Sequence, residues 1–133
     1  MRPPADLVPF FEAYARAFDS ADGTRIALFY HAPCLSRRGD GTVLVFRNEA
    51  EIADFFGAVA RGYRDEGNRR CTFSNVESED LGRDCRHITM DWQLRDAAGD
   101  PIRGWRQTYQ VVSDGTRSQI LVSTFHRAAG VAD

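Results

Sequence analysis

An α+β fold is predicted by the order in which two hydrophobic periods occur along the chain. Before residue 68 apolar residues recur mainly at helical spacing, and after it they alternate as in strands. Helical and strand segments are segregated rather than interleaved, which argues against a parallel doubly wound sheet and for helices packed on an antiparallel meander. The 133 residues suit one domain spanning 1–133, large enough to bury a core without a disulfide or metal staple.

The first helix is predicted from Leu7, Phe10, Phe11, Tyr14, Ala15 and Phe18, an i, i+3, i+4, i+7 stripe, with Asp6 as its cap. Pro9 falls in the first turn, where a missing N–H does no harm. A shorter helix starts at Asp22, runs through Ile26, Leu28 and Phe29, and is stopped by Pro33. A hairpin is expected from 34–38 and 42–46 around Gly39-Asp40-Gly41. The third helix opens at Asn48, with Glu51 three residues on as in a capping box. It carries Ile52, Phe55, Phe56, Val59, Ala60 and Tyr63 on one face and ends with Gly67 at C′. Strands follow at Cys71–Glu77, His87–Arg95, 103–113 and 118–127, with Ile88, Met90, Trp92 and Leu94 sharing one face of the second.

Composition narrows the chemistry. All 17 basic residues are arginine, so mechanisms that need an amine nucleophile are excluded. The net charge is −2 and the arginines are scattered, with no basic face or motif for nucleic acid. No apolar run is long enough to span a membrane, and Met1-Arg2-Pro3-Pro4-Ala5-Asp6 lacks the apolar core of a secretory signal, so a cytoplasmic location is expected. Cys34, Cys71 and Cys85 form no CxxC and read as small core residues. Three histidines without i, i+4 or H-x-H spacing suggest no metal, and no cofactor motif is present.

The segment Phe11-Glu12-Ala13-Tyr14-Ala15-Arg16-Ala17-Phe18-Asp19-Ser20-Ala21-Asp22 is one of several that together resemble the nuclear transport factor 2-like superfamily. The others are Ile26-Ala27-Leu28-Phe29-Tyr30, Asn48 to Phe56, and Gly104-Trp105-Arg106-Gln107-Thr108-Tyr109 with Val122-Ser123-Thr124-Phe125-His126. That superfamily includes ketosteroid isomerases, scytalone dehydratases and polyketide cyclases. The resemblance implies a cone: three helices on a strongly bent, mostly antiparallel sheet, enclosing an apolar cavity. It matches Tyr14 to the oxyanion-donating tyrosine of the isomerases. Their second donor, a protonated aspartate, matches Gln107, or Thr108 if the register slips by one. Their proton-shuttling aspartate falls near Leu35–Arg38, where Leu35-Ser36-Arg37-Arg38 offers no carboxylate. Steroid-type isomerisation therefore lacks its base. The Asp–Arg–Asp pattern of limonene epoxide hydrolase is not met by Thr89-Met90-Asp91 either.

Trp105, Gln107, Tyr109 and Val111 share a strand face on which only Gln107 carries an amide. A buried amide needs partners, supplied either by a packed core or by a ligand. The expected binding residues are Tyr14 and Gln107 for a ligand oxygen, with Phe55, Trp92, Tyr109, Ser123 and Phe125 around it. No catalytic residue is assigned. Asp91 points away from Trp92 and reads as a surface or dimer-contact residue. His31 is expected to end the second helix, and His87 to pair with Asp91 on a polar face. His126 has no partner that can be named. The leading expectation is a cavity for a small apolar or aromatic, oxygen-bearing molecule, in a homodimer. Its chemistry, if any, would be of lyase, isomerase or cyclase type. The rival is a non-catalytic homodimeric association module whose cavity Trp92, Trp105, Tyr109 and Phe125 fill.

Overall fold

The computed structural model describes residues 6–126. Three helices, α1 (Leu7–Asp19), α2 (Gly23–Ala27) and α3 (Glu49–Asp65), pack on one sheet. Its strands are β1 (Tyr30–Arg37), β2 (Val43–Phe46), β3 (Arg70–Gly82), β4 (Cys85–Arg95), β5 (Pro101–Ser113) and β6 (Ser118–Phe125). The spatial order is β2-β1-β6-β5-β4-β3. Only β1 and β6 run parallel, because the whole meander and α3 lie between them in the chain; the other pairings are antiparallel. The α+β class and the mixed, mostly antiparallel sheet are as the sequence predicts. Among the described residues no helix is long and apolar enough to cross a membrane.

The α1 stripe is buried at Leu7, Phe11, Tyr14, Ala15 and Phe18. Asp6, however, makes no cap hydrogen bond. Its carboxylate accepts instead from both terminal nitrogens of Arg86 at 2.8 and 2.7 Å. A bidentate charged pair outcompetes a neutral cap. The α2 start expected at Asp22 holds, and this residue caps the helix, its Oδ1 accepting from Thr24 N–H at 3.0 Å. Gly23 lets α2 lie against α3, since a Cβ there would sit 2.1 Å from the carbonyl oxygen of Ala53.

The second helix is shorter than expected, ending at Ala27 rather than running on to His31. The chain is drawn into the sheet: Phe29 O accepts from Ile120 N–H at 2.8 Å, and Tyr30 is buried. His31 therefore lies in β1, its ring bonded to Pro33 O, and does not end a helix. Pro33 is a strand residue, not a stop. The β1–β6 register breaks between Tyr30 and Leu35, and pairing with β2 begins at Cys34, so its missing N–H leaves no ladder bond open.

Asn48 caps α3 by accepting from Glu51 N–H at 2.9 Å, while the Glu51 carboxylate reaches Arg47 N–H at 2.8 Å, one residue before the cap. Gly67 takes the left-handed conformation (φ +108) just past the helix, as expected at C′. Strands β3 and β4 extend further than hydrophobic alternation indicates, through pairs such as Glu79↔His87 and Asp80↔Arg86. An exposed edge hairpin is held by backbone bonds, which polar side chains do not interrupt.

The core lies between α1, α3 and one face of the sheet. Ile88, Met90, Trp92 and Leu94 all point into it, with Tyr109 and Val111 beside them on β5. The opposite face is polar. There Asp91 accepts from Arg106 at 2.9 Å and from Asn75 at 2.7 Å, Arg106 also pairs with Glu77, and Thr89, Thr108 and His126 form a hydrogen-bonded line.

Candidate functional site: an aromatic cavity with a guanidinium in its lining

Hydrophobic periods from both secondary structures converge on one cavity. The α1 stripe supplies Tyr14, Ala15 and Phe18, and the α3 stripe supplies Phe56, Val59 and Tyr63. The sheet adds Trp92 from β4, Trp105, Gln107 and Tyr109 from β5, and Phe125 from β6. Cys71 and Arg38 complete the lining. Tyr14, Phe56 and Tyr109 are buried, whereas Arg38, Trp105 and Phe125 are half-buried, which sets the open end at the latter three.

The enclosed part is small. Its interior measures about 30 Å³, space for roughly two waters. The whole cleft, including open space at the mouth, amounts to about 380 Å³. The first figure describes what fits without rearrangement, and it lies far below the few hundred Å³ of an enclosed ligand pocket. Stacking of Trp105 on Phe125, with ring centroids 5.7 Å apart, narrows the opening.

Five expected binding residues meet here: Tyr14, Trp92, Gln107, Tyr109 and Phe125. Two do not. Phe55 lies one residue, about 100° of helical turn, from the lining Phe56, and packs on Phe46 in a separate surface groove. Ser123 is wholly buried beneath the cavity wall, where its hydroxyl donates to Ser36 Oγ at 3.1 Å. The β5 register places Gln107 inward. Thr108 faces outward, bonded to Thr89 and His126.

The polar groups differ in how far they are satisfied. Tyr14 and Tyr30 hydroxyls bond each other, and Trp92 Nε1–H donates to Tyr109 Oη at 2.8 Å. Gln107 Oε1 accepts from Trp105 Nε1–H at 2.8 Å. Because an indole can only donate, this bond fixes the amide orientation and leaves the –NH₂ as the other end. Among the described residues that nitrogen has no partner, nor does the Tyr63 hydroxyl. Neither is sealed off, since no fully buried side-chain polar atom lacks a partner. Both therefore present free hydrogen-bonding groups to accessible space.

Among the described residues no carboxylate or histidine lines the cavity. Asp19 is the nearest acid in sequence to the α1 lining, but its carboxylate accepts from Cys71 N–H at 2.8 Å, and burial raises its pKa. Burial also pushes the Cys71 thiol and the Tyr63 hydroxyl up to about 12, and those of Tyr14 and Tyr109 well above the usual phenol value. At neutral pH every lining side chain except Arg38 is uncharged, so the wall donates hydrogen bonds and has no resident base.

Arg38 is the residue that sequence reasoning undervalued. It ends the Leu35–Arg38 stretch near which the resemblance expects a carboxylate, just past β1, and its guanidinium carbon sits 4.4 Å from the Phe125 ring centroid and 5.1 Å from that of Phe55. Its signal was present in strand alternation, since Cys34 and Ser36 are buried and the next residue on that face is Arg38.

Residues 5–128 match the family of NTF2-like proteins (DUF6841). No curated protein matches the chain. Among solved structures, Aln2 from a Streptomyces species is similar at 17% identity and TM-score 0.76, covering 96% of this chain and 94% of its own. A protein of unknown function with a cystatin-like fold from Nostoc punctiforme gives 11% identity, TM-score 0.73 and 98% coverage of both chains. An NTF2-like protein with a cystatin-like fold from Novosphingobium aromaticivorans gives 12% identity and TM-score 0.73, covering 95% of this chain and 82% of its own. At such identities these neighbours establish a shared cone fold alone. With the match running almost end to end, the chain belongs to the NTF2-like protein (DUF6841) family.

Proposed function

We propose that this protein binds a small apolar or aromatic molecule through one of its oxygen atoms, with the oxygen in the enclosed part of the cavity and the apolar body in the cleft at its mouth. The observation that carries the reading is the Gln107 amide. It sits on an otherwise apolar strand face, is 4% exposed, and has its –NH₂ unpartnered among the described residues. A packed core gains nothing from such a group, which keeps a water-accessible donor where an apolar side chain would fill the space. A ligand oxygen satisfies it. Tyr14 supports the oxygen only indirectly, since its hydroxyl is engaged by Tyr30. Trp92, Tyr109 and Phe125 form the walls. With no base in the lining, binding and polarisation of the oxygen are favoured over proton abstraction.

The test is a thermal shift of the full chain with a panel of aromatic ketones, phenols and acids. A ligand at one hundred times its Kd stabilises by about 2.7 kcal/mol, a readily measured rise in Tm. The wild type should shift and the Tyr14→Phe plus Gln107→Leu variant should not. A panel that shifts neither protein would remove the reading.

The interior of about 30 Å³ favours a second reading, a homodimeric association module whose cavity is filled by its own aromatics. In it the polar outer face around Asp91 and Arg106 makes the dimer contact. Light scattering distinguishes the two: a stable dimer with no ligand response supports association alone.

A further inference from the structure

We infer that the oxygen-bearing ligand is a carboxylate, an organic acid with an apolar or aromatic body and a single negative charge, and that Arg38 receives it. This rests on the cavity reading above and makes it more specific.

Among the described residues Arg47, Arg86, Arg103 and Arg106 find a carboxylate partner and the other arginines do not; of these others, Arg38 is the one that lines the cavity. Arg38, at the cavity mouth, pairs with none among the described residues. Its single hydrogen bond there runs from one terminal nitrogen to Ser36 Oγ at 3.1 Å. Ser36 in turn accepts from buried Ser123 at 3.1 Å, so the guanidinium is held by a layer of hydroxyls behind it. The Phe125 and Phe55 rings hold the cation by its π contacts, which leaves N–H groups free to donate. A half-buried guanidinium pressed against aromatic rings is poorly hydrated, and attracts an anion more strongly there than in open water.

The rest of the lining agrees. Among the described residues it contains no acidic side chain, which leaves the counter-charge to what binds. The other groups left unpartnered are the Gln107 –NH₂ and the Tyr63 hydroxyl, both able to donate to an anionic oxygen. A planar carboxylate matches the two-pronged guanidinium, with charge-assisted bonds stronger than neutral ones. One guanidinium neutralises one charge, which favours a carboxylate over a doubly charged phosphate in apolar surroundings.

Paired probes of the same shape test this. Benzoate and benzamide, and 2-naphthoate and 2-naphthamide, are titrated into the ¹⁵N-labelled full chain while the Gln107 side-chain amide and Trp105 indole signals are followed. The acid of each pair should bind about tenfold or more tightly than the amide. R38Q should bring the acid down to the amide's affinity, and R38K should restore part of the preference. The wild-type pairs decide the matter even if R38Q does not fold. Amides that perturb both signals as strongly as the acids would overturn the carboxylate and leave the cavity reading standing. Signals that move with neither member of either pair would overturn both.

Discussion

Gln107→Leu and Tyr109→Phe each remove a hydrogen-bond acceptor from a tryptophan, yet they should differ in cost. Tyr109 Oη accepts from Trp92 Nε1–H, and the two residues are 1% and 5% exposed. Tyr109→Phe leaves the indole without a partner where water does not reach, and should cost about 1–3 kcal/mol. Gln107→Leu also takes an acceptor from an indole, but Trp105 is half-buried and its N–H can turn to water. That loss is worth about 1 kcal/mol or less, and the apolar surface that leucine adds to an apolar face recovers a similar amount. Leucine is close in volume, so no large cavity opens. The net change for Gln107→Leu should lie within about 1 kcal/mol of zero. For a chain of this size each kcal/mol moves Tm by roughly 3–5 °C. Urea denaturation followed by far-UV circular dichroism measures both variants without relying on the altered tryptophans. Gln107→Leu costing as much as Tyr109→Phe would show the amide to be a satisfied part of the core, and the ligand argument built on it would fail. A neutral or stabilising result, with ligand response abolished, is what a residue kept for binding should give.

Three further outcomes follow from the same structure. Gly23→Ala should destabilise by about 1–3 kcal/mol, because its Cβ would meet the backbone oxygen of Ala53 at 2.1 Å, whereas Gly62→Ala, with nothing within 4 Å, should stabilise α3 by roughly 0.5–1 kcal/mol; chemical denaturation of both separates close packing from helix propensity. Burial pushes the Cys34 thiol up to about 11 and that of Cys71 up to about 12, so at pH 8 a thiol reagent followed by mass spectrometry should label the half-buried Cys85 first, and early modification of Cys71 would contradict the packing. The Arg86 guanidinium lowers the pKa of Asp6, so this pair's contribution is present above the ordinary carboxylate pKa and is lost as pH falls through the lowered native value. With the Asp6 side chain 63% exposed, solvent screens the pair, which should contribute less than about 1 kcal/mol, and Asp6→Asn should differ from wild type in denaturation at pH 7 but not at about pH 2.

The elements most legible in the sequence were those whose burial follows a period. The stripes of α1 and α3 and the Ile88–Met90–Trp92–Leu94 face depend only on which side of an element is apolar, and that is a local property. Local rules failed where a distant group competed. Asp6 left its helix for Arg86, eighty residues away in sequence. Phe29 and Tyr30 left a helix to pair with β6, and Pro33 was admitted to a strand because a register break covers its missing N–H. The site divides in the same way. Gln107 was visible as an amide on an apolar strand face. Ser123 is on the expected side of its strand but one layer deeper than the lining, since alternation gives a side chain's direction and not what lies above it.

The sequence by itself determined the class of the fold, the absence of amine chemistry, and the lack of a carboxylate near the end of β1, because composition and periodicity do not depend on how elements meet. Tertiary structure decided which member of the Phe55–Phe56 pair lines the cavity, that the Tyr14 hydroxyl is occupied by Tyr30, and how little space remains inside. It also decided the part played by Arg38. A guanidinium's charge is readable from its letter, but whether it meets a carboxylate, a ring or an empty cleft depends on groups brought beside it from α3 and β6.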